Sequence, residues 1–242
     1  MTPACIRRVL GDLEVREALD VGCGSGEFTR VLAYALPGAR TIVGIDPDKD
    51  SIDEARRITD DRRVRYRVLG GEEMPFAEHR FDLVAISNAL HHVANPLPVL
   101  AAMRRVLAHD GSLVVQEVVS EARSPAERAG RDVHHFKARI DRAHGRTHRN
   151  TYASEGVRRL LEQADAVIEA ECELTDTEPA APGSERVADA MSFLGEYLEF
   201  ARGRPDFEEY RREASRIGLE LVRSGIADPP RIVIRARFRP RP

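Results

Sequence analysis

Apolar and polar residues follow two rhythms along the first half of the chain. Short apolar runs at residues 17–21, 41–45, 64–69, 81–86 and 112–119 read as strands, and stretches with a helical repeat at 26–36, 49–58 and 97–108 fall among them. In the first of these helices Phe28, Val31, Leu32 and Ala35 share one face. Repeated β-α-β predicts a parallel sheet covered by helices on both faces and joined by right-handed crossovers. Such sheets take ligands at the carboxyl ends of their strands, beside the topological switch point. After residue 120 the rhythm breaks: residues 121–150 are rich in charge and histidine, with weak helical periodicity, and read as an excursion from the sheet. A helix at 153–164 and a strand at 166–174 resume the pattern. The loop Thr177-Glu178-Pro179-Ala180-Ala181-Pro182-Gly183, helices at 185–201 and 206–223, and a closing strand at 232–236 complete it.

Length and composition narrow the picture. The 242 residues suffice for a sizeable core in a single domain, 1–242, into which 121–150 and 184–224 read as inserted segments covering a substrate pocket. A formal net charge of −3 supplies no general positive field for a polyanion, so nucleic acid is not the expected partner. Cys5, Cys23 and Cys172 are odd in number, far apart and free of CxxC spacing. Neither a disulfide framework nor a zinc ribbon is therefore expected, and a reducing cytoplasm is. No apolar run reaches the roughly 20 residues that a membrane helix needs, and residues 1–16 contain no signal-peptide core.

Candidate chemistry begins at Ala18-Leu19-Asp20-Val21-Gly22-Cys23-Gly24-Ser25-Gly26, where a strand carrying an acid runs into glycines spaced two apart. Without a Cβ such residues accept positive φ and let main-chain N–H groups approach a ligand. Twenty residues on, Thr41-Ile42-Val43-Gly44-Ile45 ends at Asp46, placed to accept hydrogen bonds from both hydroxyls of a ribose, with capping of the next helix as the simpler role. A nucleoside site follows. A nicotinamide dinucleotide fits it less well, because the spacing is GxGxG rather than GxGxxG and Glu27 beside the turn would repel a pyrophosphate.

Further along come Glu72-Glu73-Met74-Pro75-Phe76, Phe81-Asp82-Leu83-Val84 and Leu107-Ala108-His109-Asp110-Gly111-Ser112-Leu113. In this order, over about residues 15–120, the chain resembles class I S-adenosylmethionine-dependent methyltransferases, and among them the ubiquinone/menaquinone-biosynthesis type that acts on small molecules. The resemblance implies an α/β, Rossmann-like seven-stranded sheet in the order 3-2-1-4-5-7-6, S-adenosyl-L-methionine as cofactor and S-adenosyl-L-homocysteine as product. It implies that Gly22, Gly24 and Gly26, with Cys23 between them, line the methionine moiety, that Asp20 lies near its amino end, and that Asp46 holds the ribose. Pro47, Gly71 and Glu72 are implied beside the adenine, and Ser87 and Asn88 beside the sulfonium. At Gly70 the chain departs from relatives that commonly carry an Asp there.

The same resemblance turns His91, which follows the fourth strand, toward the reaction cleft, where it can deprotonate or orient an acceptor; hydrogen bonding to nearby backbone is the plainer role. His134, His135, His144 and His148 crowd the excursion, and Arg149 and Tyr152 lie beside them. Substrate contact, ordinary packing and a metal site are the three readings, the metal weakened by Gly145 and by the absence of a nearby cysteine; no metal ligand is assigned. Met191, Phe193, Leu194, Tyr197, Leu198 and Phe200 suit a pocket wall, core packing or a homodimer seam. Arg231, Arg235, Arg237, Arg239 and Arg241 alternate along the closing strand, as a solvated face or, less simply, an RNA contact. The expected enzyme is thus a small-molecule methyltransferase, with a nucleic-acid methyltransferase or a non-catalytic relative as alternatives.

Overall fold

The computed structural model describes residues 4–11, 13–175 and 178–240, so Thr177 and Arg241 lie outside the described residues. Its strands are β1 (Glu17–Val21), β2 (Thr41–Asp46), β3 (Val64–Val68), β4 (Phe81–Ser87), β5 (Leu107–Val118), β6 (Ala166–Leu174) and β7 (Arg231–Phe238). They form one seven-stranded sheet in the order β3-β2-β1-β4-β5-β7-β6, as the resemblance implied. β3, β2, β1, β4 and β5 pair in parallel, with Asp20 opposite Gly44 on one side and Ala85 on the other. The switch point therefore falls between β1 and β4, and the chain leaves both strands there through the segments that carry the candidate residues.

Two compact units emerge. The first spans Met1–Glu117, Glu155–Leu174 and Ile232–Pro242 and holds the sheet. Its helices are α1 (Ala4–Leu10), α2 (Glu27–Ala35), α3 (Lys49–Ile58), α4 (Pro96–Val106) and α6 (Ser154–Gln163). Phe28 and Leu32 of α2, Ile52 of α3 and Ile42 of β2 meet Leu83 and Val114 in a core that is almost wholly shielded from water. Two of these helices start at a side-chain cap: Asp48 caps α3 by accepting from Asp50 N–H, and Asn95 caps α4 ahead of Pro96.

The opening residues and the cysteines depart from expectation. α1 buries Ile6, Val9 and Leu10 and packs on β6. There Cys5 and Cys172 are joined in a disulfide, with Cα atoms 5.7 Å apart across a sequence separation of 167. The expectation that the cysteines form no disulfide framework is corrected by this one bridge: spacing carries no signal for a pair brought together only by tertiary packing. β5 also starts five residues ahead of the expected strand, with a register irregularity between Phe81 and Leu83.

The second unit comprises Val118–Ser154 and Thr175–Arg231. The two segments that the sequence treats as separate insertions pack on one another within it. Its helices are α5 (Pro125–Ala143), α7 (Glu185–Phe200) and α8 (Phe207–Ser224), and they share a core of Phe136, Ile140, Leu194, Tyr210, Ile217 and Leu221. Arg139 of α5 bridges Glu209 and Glu213 of α8, with its guanidinium 4.8 Å from the Tyr210 ring centre. The 19-residue α5 replaces the expected irregular excursion. Its start is a capping box, Ser124 with Glu127, while its solvent face is so charged that the apolar repeat is sparse. Leu194 belongs to this core, with Tyr197 and Leu198 packed against it, whereas Met191 and Phe200 stay exposed.

Candidate active site

β1 carries Asp20 into the interior with no solvent exposure. Its Oδ2 accepts from Thr29 Oγ1 of α2 at 2.6 Å, and its Oδ1 has no hydrogen-bond partner. Burial pushes the Asp20 carboxyl up from 3.8 to about 7, with the Thr29 hydrogen bond pulling it down and the Asp46 charge pushing it further up.

Beyond Val21 the backbone turns through Gly22, Gly24 and Gly26 at φ 68°, 50° and 79°, a left-handed region that side chains with a Cβ avoid. β2 anchors this turn: Gly22 and Cys23 N–H donate to the Ile45 carbonyl at 2.8 and 3.0 Å, and Gly24 N–H donates to Asp46 Oδ2 at 2.9 Å. A Cβ on Gly22 would fall 2.6 Å from Ala89 Cβ, and one on Gly26 would strike the Tyr66 hydroxyl, yet one on Gly24 would meet nothing within 4 Å. The turn is thus tightly packed at both ends and open in its middle. Cys23 turns its side chain into the core, where burial and the Asp20 and Asp46 charges raise the thiol far above its ordinary range. Only its main chain remains on the open side.

Asp46 spends Oδ1 on Asp48 N–H at 2.9 Å, while the helix cap itself is Asp48. Pro47 and Glu72 are exposed, and Gly71 lies against the end of β1, a Cβ there falling 3.0 Å from Val21 Cγ1. At Gly70 the space around an added Cβ is open. Past β4, Ser87 Oγ accepts from Gln116 Nε2 at 3.0 Å, and Asn88 adopts φ 50° while donating its N–H to the Gln116 carbonyl at 2.8 Å. Asn88 Oδ1 and Gln116 Oε1 are buried without partners. These two oxygens and Asp20 Oδ1 belong to residues at or near the carboxyl ends of the neighbouring strands β4, β5 and β1.

His91 sits in a single helical turn, Leu90–His92, and is 2% exposed. Its Nδ1 lies 2.5 Å from Oε1 of Glu117, a residue with no exposure whose Oε2 accepts Leu90 N–H at 3.0 Å. Sequence reasoning missed Glu117, Gln116 and Thr29. The signal for two of them was present: adjacent polar residues closing the apolar run Leu113-Val114-Val115.

The clustered histidines are engaged inside the helical unit. His148 Nδ1 meets Asp141 Oδ2 at 2.7 Å and its Nε2 lies 3.3 Å from His134 Nε2. His135 Nε2 meets Thr151 Oγ1 at 2.8 Å, and His144 Nδ1 meets the Ile140 carbonyl at 2.9 Å. Burial and the Arg131 charge pull His135 down to about 4, so it is neutral at ordinary pH. On the closing strand, Arg235 and Arg237 both form ion pairs with Glu169 of β6, at 3.3 and 2.9 Å.

Residues 19–115 match the family model described as a methyltransferase domain. Over these residues the chain is similar to class I S-adenosylmethionine-dependent methyltransferases. A ubiquinone/menaquinone biosynthesis C-methyltransferase of Citrifermentans bemidjiense is 34% identical to it over 122 residues, covering 49% of this chain and 50% of that protein. A tRNA U34 carboxymethyltransferase of Alcanivorax borkumensis is 36% identical over 115 residues, 46% of this chain and 35% of that protein. The chain thus spans about half the length, or less, of these curated relatives. Beyond the matched residues the fold likeness continues: a crystal structure titled as a putative methyltransferase from Bacillus halodurans superposes with a TM-score of 0.61, covering 94% of this chain and 95% of that one at 21% identity.

Proposed function

We propose that the chain transfers a methyl group from S-adenosylmethionine to a small-molecule acceptor, at the carboxyl ends of β1, β2 and β4. The observation that carries this reading is an open left-handed glycine turn flanked by the carboxylates of Asp20 and Asp46, with the buried oxygens Asp20 Oδ1 and Asn88 Oδ1 lacking protein partners. An unsatisfied buried acceptor costs about 1–3 kcal/mol. A ligand bearing an ammonium and a ribose satisfies such atoms, and its positive charge suits two acids where a pyrophosphate would not. In this reading Asp20, Gly22, Gly24, Gly26 and the main chain of Cys23 hold the methionine end, and Asp46 accepts from the ribose. Pro47, Gly71 and Glu72 flank the adenine, and Ser87 and Asn88 border the sulfonium. The bound cofactor supplies an electrophilic methyl carbon whose bond to sulfur breaks as the bond to the acceptor forms, releasing S-adenosylhomocysteine. The chain's own contribution is to align and desolvate, and alignment alone is worth up to about 7–11 kcal/mol of barrier.

A small acceptor is supported by the quinone-biosynthesis relative, by the net charge of −3 and by the ion-paired arginines of β7. Transfer to RNA is the second reading, favoured by the tRNA-modifying relative. Thermal-shift measurements with S-adenosylmethionine, S-adenosylhomocysteine and NAD, on the wild type and Asp46→Ala, test the proposal. Stabilisation by the two sulfur nucleosides, lost in Asp46→Ala, is expected, and stabilisation by NAD alone overturns it. Salt-sensitive binding of tRNA would move the acceptor assignment to the second reading.

A further inference from the structure

At the end of the sheet opposite the glycine turn, a cavity of about 320 Å³ lies between the last turn of α4, the starts of β4 and β5, and the end of β7. The seven-residue β4, rising about 3.3 Å per residue, sets it about 20 Å from the carboxyl ends of the strands. It is no part of the proposed methyl-transfer site. Arg104, Arg105 and Arg239 line it with guanidiniums, His79 and His109 stack with ring centres 3.8 Å apart, and the Phe238 ring centre lies 5.5 Å from the Arg104 guanidinium. Glu78 is the one acid of this lining, and it is exposed.

Basic residues in a last helical turn ordinarily serve that helix's own final carbonyls. These do not. Arg105 donates to the Phe76 and Met74 carbonyls at 2.8 and 2.5 Å, and Arg104 donates to the Arg239 carbonyl at 2.5 Å and, less closely, to Asp165 Oδ2 at 3.4 Å. A guanidinium carries five N–H groups, so each of these two keeps three beyond the two it spends. Arg105 and Arg239 meet no carboxylate among the described residues. The rings are fixed as firmly: His79 sits at φ 55°, its N–H donates to the Arg105 carbonyl at 3.0 Å, and its Nδ1 donates to the Leu107 carbonyl at 3.1 Å.

We propose that this cavity is a second ligand site, for a phosphate monoester that carries a flat ring and is no larger than a mononucleotide. Held guanidinium forks bind phosphate through paired N–H bonds, and the two charges and three acceptor oxygens of a monoester match the spare donors better than one carboxylate does. Stacked imidazoles offer a face to the ring. The volume fits the small end of ligand pockets, which run from about 300 to 1,000 Å³. Phosphate meets Arg104 and Arg105, and the ring lies along His79 and His109.

Titration of the full chain, labelled with nitrogen-15 histidine, with phenyl phosphate and with uridine monophosphate tests this, each with and without saturating S-adenosylhomocysteine. The ring signals of His79 and His109 should move with either probe, whether or not the sulfur nucleoside is present. Benzoate and inorganic phosphate should each bind on the order of tenfold more weakly or worse, since each lacks half of the recognised chemistry. Arg105→Lys keeps the charge and loses the fork, so calorimetric affinity for phenyl phosphate should fall on the order of 10- to 100-fold. Arg239→Gln, a change at an exposed side chain, should weaken it several-fold with the thermal midpoint unchanged. Displacement of phenyl phosphate by S-adenosylhomocysteine, equal affinity for benzoate or inorganic phosphate, unchanged affinity in both variants, or still histidine signals at millimolar probe each overturns the proposal. Failure to bind the sulfur nucleoside overturns the cofactor reading alone.

Discussion

Cofactor binding should be coupled to a proton held by Asp20. Its carboxyl is fully buried, with one oxygen bonded to Thr29 and the other alone, and burial lifts it from 3.8 to about 7. That gap is worth about 4 kcal/mol, and its sign is fixed by linkage. A carboxyl raised on folding favours the folded state most below pH 3.8, and that contribution is lost as pH rises through about 7. A cationic ammonium arriving beside Asp20 needs the ionised form. With a site near 7, the free protein holds about 0.9 of a proton there at pH 6, released on binding, and affinity falls about fivefold from pH 7 to 6 and about tenfold from 6 to 5. Titration calorimetry with S-adenosylhomocysteine in two buffers of different ionisation enthalpy measures the released proton. Asp20→Asn, which keeps the shape and cannot ionise, should abolish both the release and the pH dependence. The reasoning is refuted if no proton leaves at pH 6, or if the Asn variant retains the wild-type pH profile.

Four further outcomes are expected. Gly24→Ala forces a side chain into φ 50° but meets no neighbour, so it should cost about 1–2 kcal/mol of stability and weaken sulfur-nucleoside binding on the open side of the turn; Gly44→Ala, whose Cβ would lie 2.7 Å from Tyr66 Cδ1 and 2.9 Å from Cys23 Sγ, should cost about 1–3 kcal/mol by overpacking. Urea melts and calorimetric affinities separate the two effects. Cys5→Ser, or reduction, releases a cross-link spanning 167 residues, worth up to about 5 kcal/mol of denatured-state entropy and more commonly 2–4, so denaturation midpoints with and without reductant should differ in the wild type and coincide in the variant. Ser124→Ala removes the acceptor for Glu127 N–H at 3.1 Å and should destabilise α5 by about 1 kcal/mol, read by hydrogen exchange within the helical unit while the sheet is unaffected.

The alternation of short apolar runs with helical repeats was enough to read the sheet, its strand order by resemblance, and most element bounds to within a residue or two. Local pattern is a direct record of which face each residue buries and where a backbone must turn through positive φ. For that reason the glycine turn at 22–26 and the acid closing β2 were visible before any coordinates. The charged face of α5 hid its repeat, because its buried apolar residues are mostly alanines, Ala126, Ala129 and Ala138, with Phe136 and Ile140 as the large ones among many charges.

What tertiary structure alone decided are meetings between residues far apart in the chain. Cys5 finds Cys172 only because α1 packs on β6, and Glu117 reaches His91, 26 residues away, only because β4 and β5 end side by side. Residues 118–154 and 175–231 become one helical unit through a core that neither segment contains alone. Hydrophobic patterning specifies that a face must be covered, and the partner that covers it is settled by packing across the whole fold, where shape and the satisfaction of buried polar atoms select among many apolar surfaces.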